Sequence, residues 1–190
     1  VRPYITQATL ASLALLAILL IEQGVTDGII VVTIAASTAT VFVLPHSIAS
    51  SPKRVIGGHV GGVLVGLALW GGLHFVTGGD TSVASNLQID IFGAAAVGLS
   101  VLVMATTNTE HPPAAGTAFG VIVVGLSFTF IAFILSAAVI LSIVRYVLRD
   151  RLQNLLELSG NFRTERENAA GPFGHNGVLI SVWLSPTGRD

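Results

Sequence analysis

Residues 55–79 read VIGGHVGGVLVGLALWGGLHFVTGG, without one Asp, Glu, Lys or Arg. A bilayer crossing takes ~20 mostly apolar residues, and this run exceeds that. The pattern recurs along the chain. Residues 28–52 and 111–144 are free of charge, and residues 91–110 carry only Glu110, at their end. These runs place the protein in a membrane and give the fold class: all-α, a polytopic transmembrane helical bundle. Barrel strands are excluded because the runs are continuous, about twice the length a strand needs, and lack period-two alternation. Within lipid every backbone amide must be paired inside its own segment, which helices achieve.

Composition agrees with that class. The chain is 52% hydrophobic and 10% charged, against ~25% charged for an ordinary soluble domain. Its net charge of −1 gives no sign of nucleic acid as a partner, and it has no cysteine for disulfides or thiolate metal sites. The predicted spans are 4–21, 28–44, 55–76, 91–107 and 128–148. The first is too long for a signal-peptide core and is not closed by a small-residue cleavage site. A short apolar helix, 114–124, follows the second proline-bearing loop. At ~1.5 Å per residue it covers only part of the hydrocarbon. It is read either as a short crossing or as a broken, re-entrant helix beside five full spans. Lys53, Arg54, Arg145, Arg149 and Arg151 mark one side as cytoplasmic, which favours the short crossing. Residues 1–149 form the transmembrane domain and 150–190 a polar tail, expected on the cytoplasmic side, with a β-like run at 178–184.

Two loops carry the unusual chemistry. In Glu110-His111-Pro112-Pro113 the prolines suit a helix's first turn, where a missing N–H is no loss. Pro113 is expected to open the short helix, leaving the N–H groups of Ala115, Gly116 and Thr117 to face an anion. The plainer reading is a loop ended by two prolines. Lys53 and Arg54, before the third span, read as an anion-collecting vestibule or as an ordinary positive-inside anchor. Glu110 is expected to pair with one of them. His59 lies one turn inside that span, where an ionisable group is a functional suspect. His59 and His111 are expected within ~10 Å of each other, a helix diameter. The Gly57/Gly61, Gly58/Gly62 and Gly62/Gly66 spacings point to close helix packing and hint at a dimer. His46, His59 and His111 could in principle meet a metal, but no carboxylate stands at a defined spacing from them, and no metal or cofactor is assigned. Enzyme motifs are absent, so no enzyme activity is expected.

Two segments together resemble a known family. Leu44-Pro45, then Ser51-Pro52-Lys53-Arg54-Val55-Ile56-Gly57-Gly58-His59, resembles the pattern LP…SP…R-x-V-I-G-G-H. Asn108-Thr109-Glu110-His111-Pro112-Pro113-Ala114-Ala115-Gly116-Thr117-Ala118 resembles T-x-x-x-HPPAGATA. The chain is identified on these residues as similar to the HPP family of integral membrane proteins over residues 10–150. It departs from the pattern at His46, where an acidic or polar residue is commoner, and at Ala115-Gly116-Thr117. The resemblance implies a compact helical bundle. Through chloroplast and photosynthetic bacterial members it also implies nitrite movement, in a bacterial inner membrane or a chloroplast membrane. Some members carry CBS-type regulatory domains, for which this tail is too short. The leading expectation is a transporter or channel for a small monovalent anion, nitrite foremost. Lys53, Arg54, His59, His111, Pro112, Pro113, Gly116 and Thr117 form its site, and a homo-oligomer completes the pathway. The rival is a non-transporting membrane scaffold.

Overall fold

The computed structural model describes residues 2–21 and 28–156. The link at 22–27 and the tail from 157, including the β-like run, lie outside the described residues. The helices are α1 (Arg2–Ile21), α2 (Gly28–Val43), α3 (Pro52–Val76), α4 (Asn86–Thr107), α5 (Ala115–Val124) and α6 (Phe128–Leu148). Among the described residues there is no strand. Short 3₁₀ turns at Ile48–Ser50, Thr81–Val83 and Pro112–Ala114 lie in the connections.

Two helices begin earlier than their charge-free runs do. Pro52 occupies the first turn of α3, directly after Ser51 at the N-cap position, so Lys53 and Arg54 are helical rather than in the loop. At α4, the Ser85 hydroxyl accepts from the Gln88 amide while Gln88 bonds back to Ser85. This capping box starts the helix at Asn86 and draws Asp90 into it.

Long-range bonds fix which helix ends lie together. The Gln7 amide of α1 donates to Phe42 O at the end of α2, 2.6 Å away. Arg145, near the end of α6, donates to Pro45 O at 2.8 and 2.6 Å. Arg54 at the start of α3 pairs with Glu110, just after α4. The start of α1 and the ends of α2, α4 and α6 therefore share one end with the start of α3. Lys53, Arg54, Arg145, Arg149 and Arg151 all belong to it.

The same end carries a clasp. After α6, Leu152 is buried. Gln7 bonds both backbone groups of Gln153, each at 2.9 Å. His46 donates from its ring to Leu152 O at 2.9 Å and from its backbone to the Asn154 side chain at 3.1 Å. The Tyr4 hydroxyl donates to Leu155 O. The compact unit accordingly runs Val1–Leu155, a few residues beyond the last span.

Helix α5 runs parallel to α3. Gly58 lies against His111 and Ala114, Gly62 against Ala114 and Thr117, and Gly66 against Ala118 and Val121. Farther along, the Trp70 indole lies beside Gly125, at the end of α5. That is roughly 18 Å of travel along α3 at ~1.5 Å per residue. The chain then reverses at Gly125, with φ 80°, and α6 returns to the cationic end. Helix α5 thus descends alongside α3 and does not turn back on the side it entered. It can be short because its entry loop is sunk into the bundle: His111 and Ala114 are fully buried.

An aromatic and aliphatic core of Ile18, Ile34, Phe42, Phe130, Phe133 and Leu141 joins α1, α2 and α6. Four helices, α1, α3, α4 and α6, are long and apolar enough to cross a membrane, and α2 and α5 are shorter apolar helices. Large apolar side chains such as Leu64, Phe75, Leu102 and Ile143 face outward, as a bilayer environment requires.

Candidate functional site

Helix α4 stops at Asn108, whose φ of 56° puts it in the left-handed region. The chain then bends inward, and His111 takes an extended conformation ahead of two prolines at the start of the 3₁₀ turn. This turn changes the expected donor set. The Ala114 N–H donates to His111 O at 2.9 Å, and the Ala115 N–H is taken by Pro112 and Pro113 carbonyls. The helix start therefore does not present Ala115 as an open donor, because the turn begins at Pro112 and uses that N–H itself.

His111 and His59 lie side by side, ring centroids 5.4 Å apart and planes at 60°. Glycine makes this contact. A Cβ on Gly58 would come within 2.9 Å of the His111 Cβ, and one on Gly62 within 2.5 Å of Ala114 O. Such distances are below any tolerable contact, so only glycine lets the loop and α5 close onto α3. Gly58, Gly62 and Gly66 are thus occupied by the loop and α5 of the same chain, while Gly57 and Gly61 face Thr109 and Val103.

The two rings belong to a buried polar chain. The Thr117 hydroxyl is 2.7 Å from His59 Nδ1. His59 Nε2 is 2.9 Å from Ser37 Oγ, and Ser37 Oγ is 3.1 Å from His111 Nε2. His111 Nδ1 donates to Ala49 O at 2.9 Å. Ser37, His59, His111 and Thr117 are all fully buried. The chain ties α2, α3, α5 and both loops together at one point.

The other expected residues play different parts. Gly116 faces Thr33 of α2, whose hydroxyl would be 3.3 Å from a Cβ there. Pro112 is exposed and Pro113 half-buried, and both shape the turn. Lys53 is exposed. Arg54 is not an open cation: its guanidinium bonds Glu110 and Asn108, which pins the His-Pro-Pro loop to α3. Of the two cations expected to form a vestibule, Arg54 is thus paired with Glu110 and Lys53 is exposed. His46 is bonded to Leu152 and Asn154 in the clasp and does not join the histidine pair. Among the described residues no three His, Asp or Glu converge on a metal position. The three-histidine metal arrangement therefore fails.

Ser37 escaped the sequence reading, which took residues 28–44 as a plain span. The available signal was polar content inside an apolar run: Thr33, Ser37 and Thr38 fall on one face of α2 by their spacing, and all three are buried.

Comparison with known sequences fixes the family. The sequence profile of the HPP transmembrane region matches residues 1–154. The chain belongs to the HPP transmembrane family. Its residues also match a transmembrane protein of Dictyostelium discoideum, 30% identical over 129 residues, which is 64% of this chain and 41% of that protein. This HPP chain thus spans about two fifths of that relative's length. No solved structure matches it. As an HPP protein it is an integral membrane protein, and the bilayer is the surrounding its helices require.

Proposed function

We propose that this HPP protein moves a small monovalent inorganic anion across its membrane, nitrite foremost, as a transporter or channel and not as an enzyme. One observation supports the reading. Ser37, His59, His111 and Thr117 are wholly buried where α2, α3 and α5 meet. Polar and ionisable side chains inside membrane segments are expensive and tend to mark ion pathways. The cluster offers hydroxyl and imidazole donors, and its ring nitrogens bond no carboxylate. Such a site suits an ion that sheds its water and takes hydrogen bonds in exchange. Exposed Lys53 at the cationic end serves as the collecting charge. The proposal includes a homo-oligomer, which supplies more wall for a pathway than one short bundle does, in a bacterial inner membrane or a chloroplast membrane.

The test is nitrite flux into liposomes holding the purified protein, with nitrate, chloride and formate as comparators and protein-free vesicles as the baseline. Nitrite entry above baseline and above the other anions is expected. Correctly inserted protein that passes none refutes the reading. A second reading, a non-transporting scaffold, draws on the completeness of the same bonds: all four ring nitrogens are already partnered, and glycine packs α3 tightly on α5. Under it, His111→Ala and Pro113→Ala alter only stability or assembly. Under transport both depress flux.

A further inference from the structure

One carbonyl orients the whole buried chain. Ala49 O can only accept, so His111 Nδ1 carries a proton. In the uncharged ring His111 Nε2 is then an acceptor, and only Ser37 Oγ faces it. The Ser37 proton points there, with Thr33 O as a secondary acceptor at 3.2 Å. Ser37 Oγ must therefore accept from His59, so His59 Nε2 carries the proton. His59 Nδ1 in turn accepts from the Thr117 hydroxyl. Every bond runs the same way, from Thr117 toward Ala49.

Among the described residues, the elements packed around this line bring no fixed charge to it. Helices α2 and α5 contain no Asp, Glu, Lys or Arg. On α3, Lys53 and Arg54 lie in the first turn, and Arg54 holds Glu110, the carboxylate next to His111 in the chain. On α4, Asp90 lies near the opposite end. On α6, Arg145 is bonded to Pro45 O.

We propose that Thr117, His59, Ser37 and His111 form a one-ended proton relay that couples anion movement to proton movement. It rests on the anion-transport reading. A weak acid such as nitrous acid gives up its O–H proton to the Thr117 oxygen and leaves as the anion. Thr117 passes its own proton to His59 Nδ1, His59 Nε2 passes its proton to Ser37, and Ser37 passes its proton to His111 Nε2. Atoms and charge balance: one anion is formed, and His111 becomes an imidazolium. Return of the proton reverses each bond. The relay has one mouth, because Ala49 O cannot hand a proton on. A stored proton leaves by that same mouth once Thr117 meets the opposite side of the membrane, so protons cross only in step with the anion and none pass through alone. Ser37 is the pivot, the one group among the described residues bonded to both rings.

Two measurements decide the matter. In proteoliposomes with the membrane potential clamped at zero and an internal pH dye, a nitrite gradient is applied at alkaline pH, with protein-free vesicles subtracted. Wild type is expected to move protons with the anion and to leak none without it. Ser37→Ala, which keeps the Thr117–His59 and His111–Ala49 bonds, is expected to cut protons moved per anion by at least about tenfold, and Ser37→Thr to restore them. An unchanged ratio in Ser37→Ala overturns the relay. The second measurement needs no transport. Nitrogen-15 histidine spectra of the wild-type protein, assigned with His59→Gln and His111→Gln, should give the Nδ1–H tautomer at His111 and Nε2–H at His59. The opposite tautomer at either ring overturns the relay. Absence of anion flux with the expected tautomers removes the transport reading and, with it, the coupling.

Discussion

Arg54 holds Glu110 and Asn108 from the first turn of α3, so its loss frees the His-Pro-Pro loop at its rim. Arg54→Gln should lower stability by about 1 kcal/mol, the upper range for a pair with one half-exposed partner. Arg54→Gln combined with Glu110→Gln should cost less than the sum of the single changes, measured as a double-mutant cycle in detergent unfolding. Flux separates pin from vestibule. A pin predicts that Arg54→Gln and Glu110→Gln both lower nitrite flux. A collecting field predicts a fall for the first and a rise for the second. Deeper in, His111→Ala leaves Ser37 and Ala49 O short of a partner and opens a void. A loss of about 2 kcal/mol or more is expected in the same unfolding assay. His59, His111 and Thr117 could be picked from the sequence because a histidine in an apolar run and a His-Pro-Pro turn both stand out. Ser37 left a fainter mark, the polar face it shares with Thr33, because a serine in a membrane helix usually bonds its own i−4 carbonyl, as Ser142 does here and Ser37 does in part. Only the meeting of three helices turns Ser37 into a bridge.

At the level of helices, the α3 glycines divide into two kinds that the sequence cannot tell apart. Gly62 and Gly66 touch α5: a Cβ would meet Ala114 O at 2.5 Å and the Val121 Cβ at 2.7 Å. Gly71 has nothing within 4 Å. Gly62→Ala should therefore destabilise the bundle by about 1–3 kcal/mol through overpacking. Gly71→Ala should be neutral or stabilise it by up to ~1 kcal/mol through helix propensity. Equal effects of the two changes in thermal unfolding would contradict the α3–α5 contact. The spacing announced close packing but could not name the neighbour, because small residues at every fourth position fit any helix that arrives. The helix boundaries were legible where charge marks them and moved where a first-turn proline or a cap acts, at Pro52 and at Ser85.

For the whole molecule, the alternation of six helices puts Lys53 and Arg151 at one end and the turn at Ser82 at the other. These 190 residues have no cysteine, so single reporters placed in them need no background removal. Lys53→Cys and Arg151→Cys should react with an impermeant maleimide from one side of sealed vesicles, and Ser82→Cys from the other. Labelling of all three from one side would break the six-crossing topology. The clasp has a further consequence, which concerns where the chain can be cut. Gln7, His46 and Tyr4 reach residues 152–155, and none of these bonds reaches beyond Leu155. A chain ended after Leu156 keeps them all and is the reference for the shorter truncation. A chain ended at Asp150 loses them together, at ~1 kcal/mol each, and should lower the melting temperature although every membrane helix is intact. Helix α1 would then be the first to detach, because its seat is made partly by a segment that emerges only after every membrane helix has been synthesised.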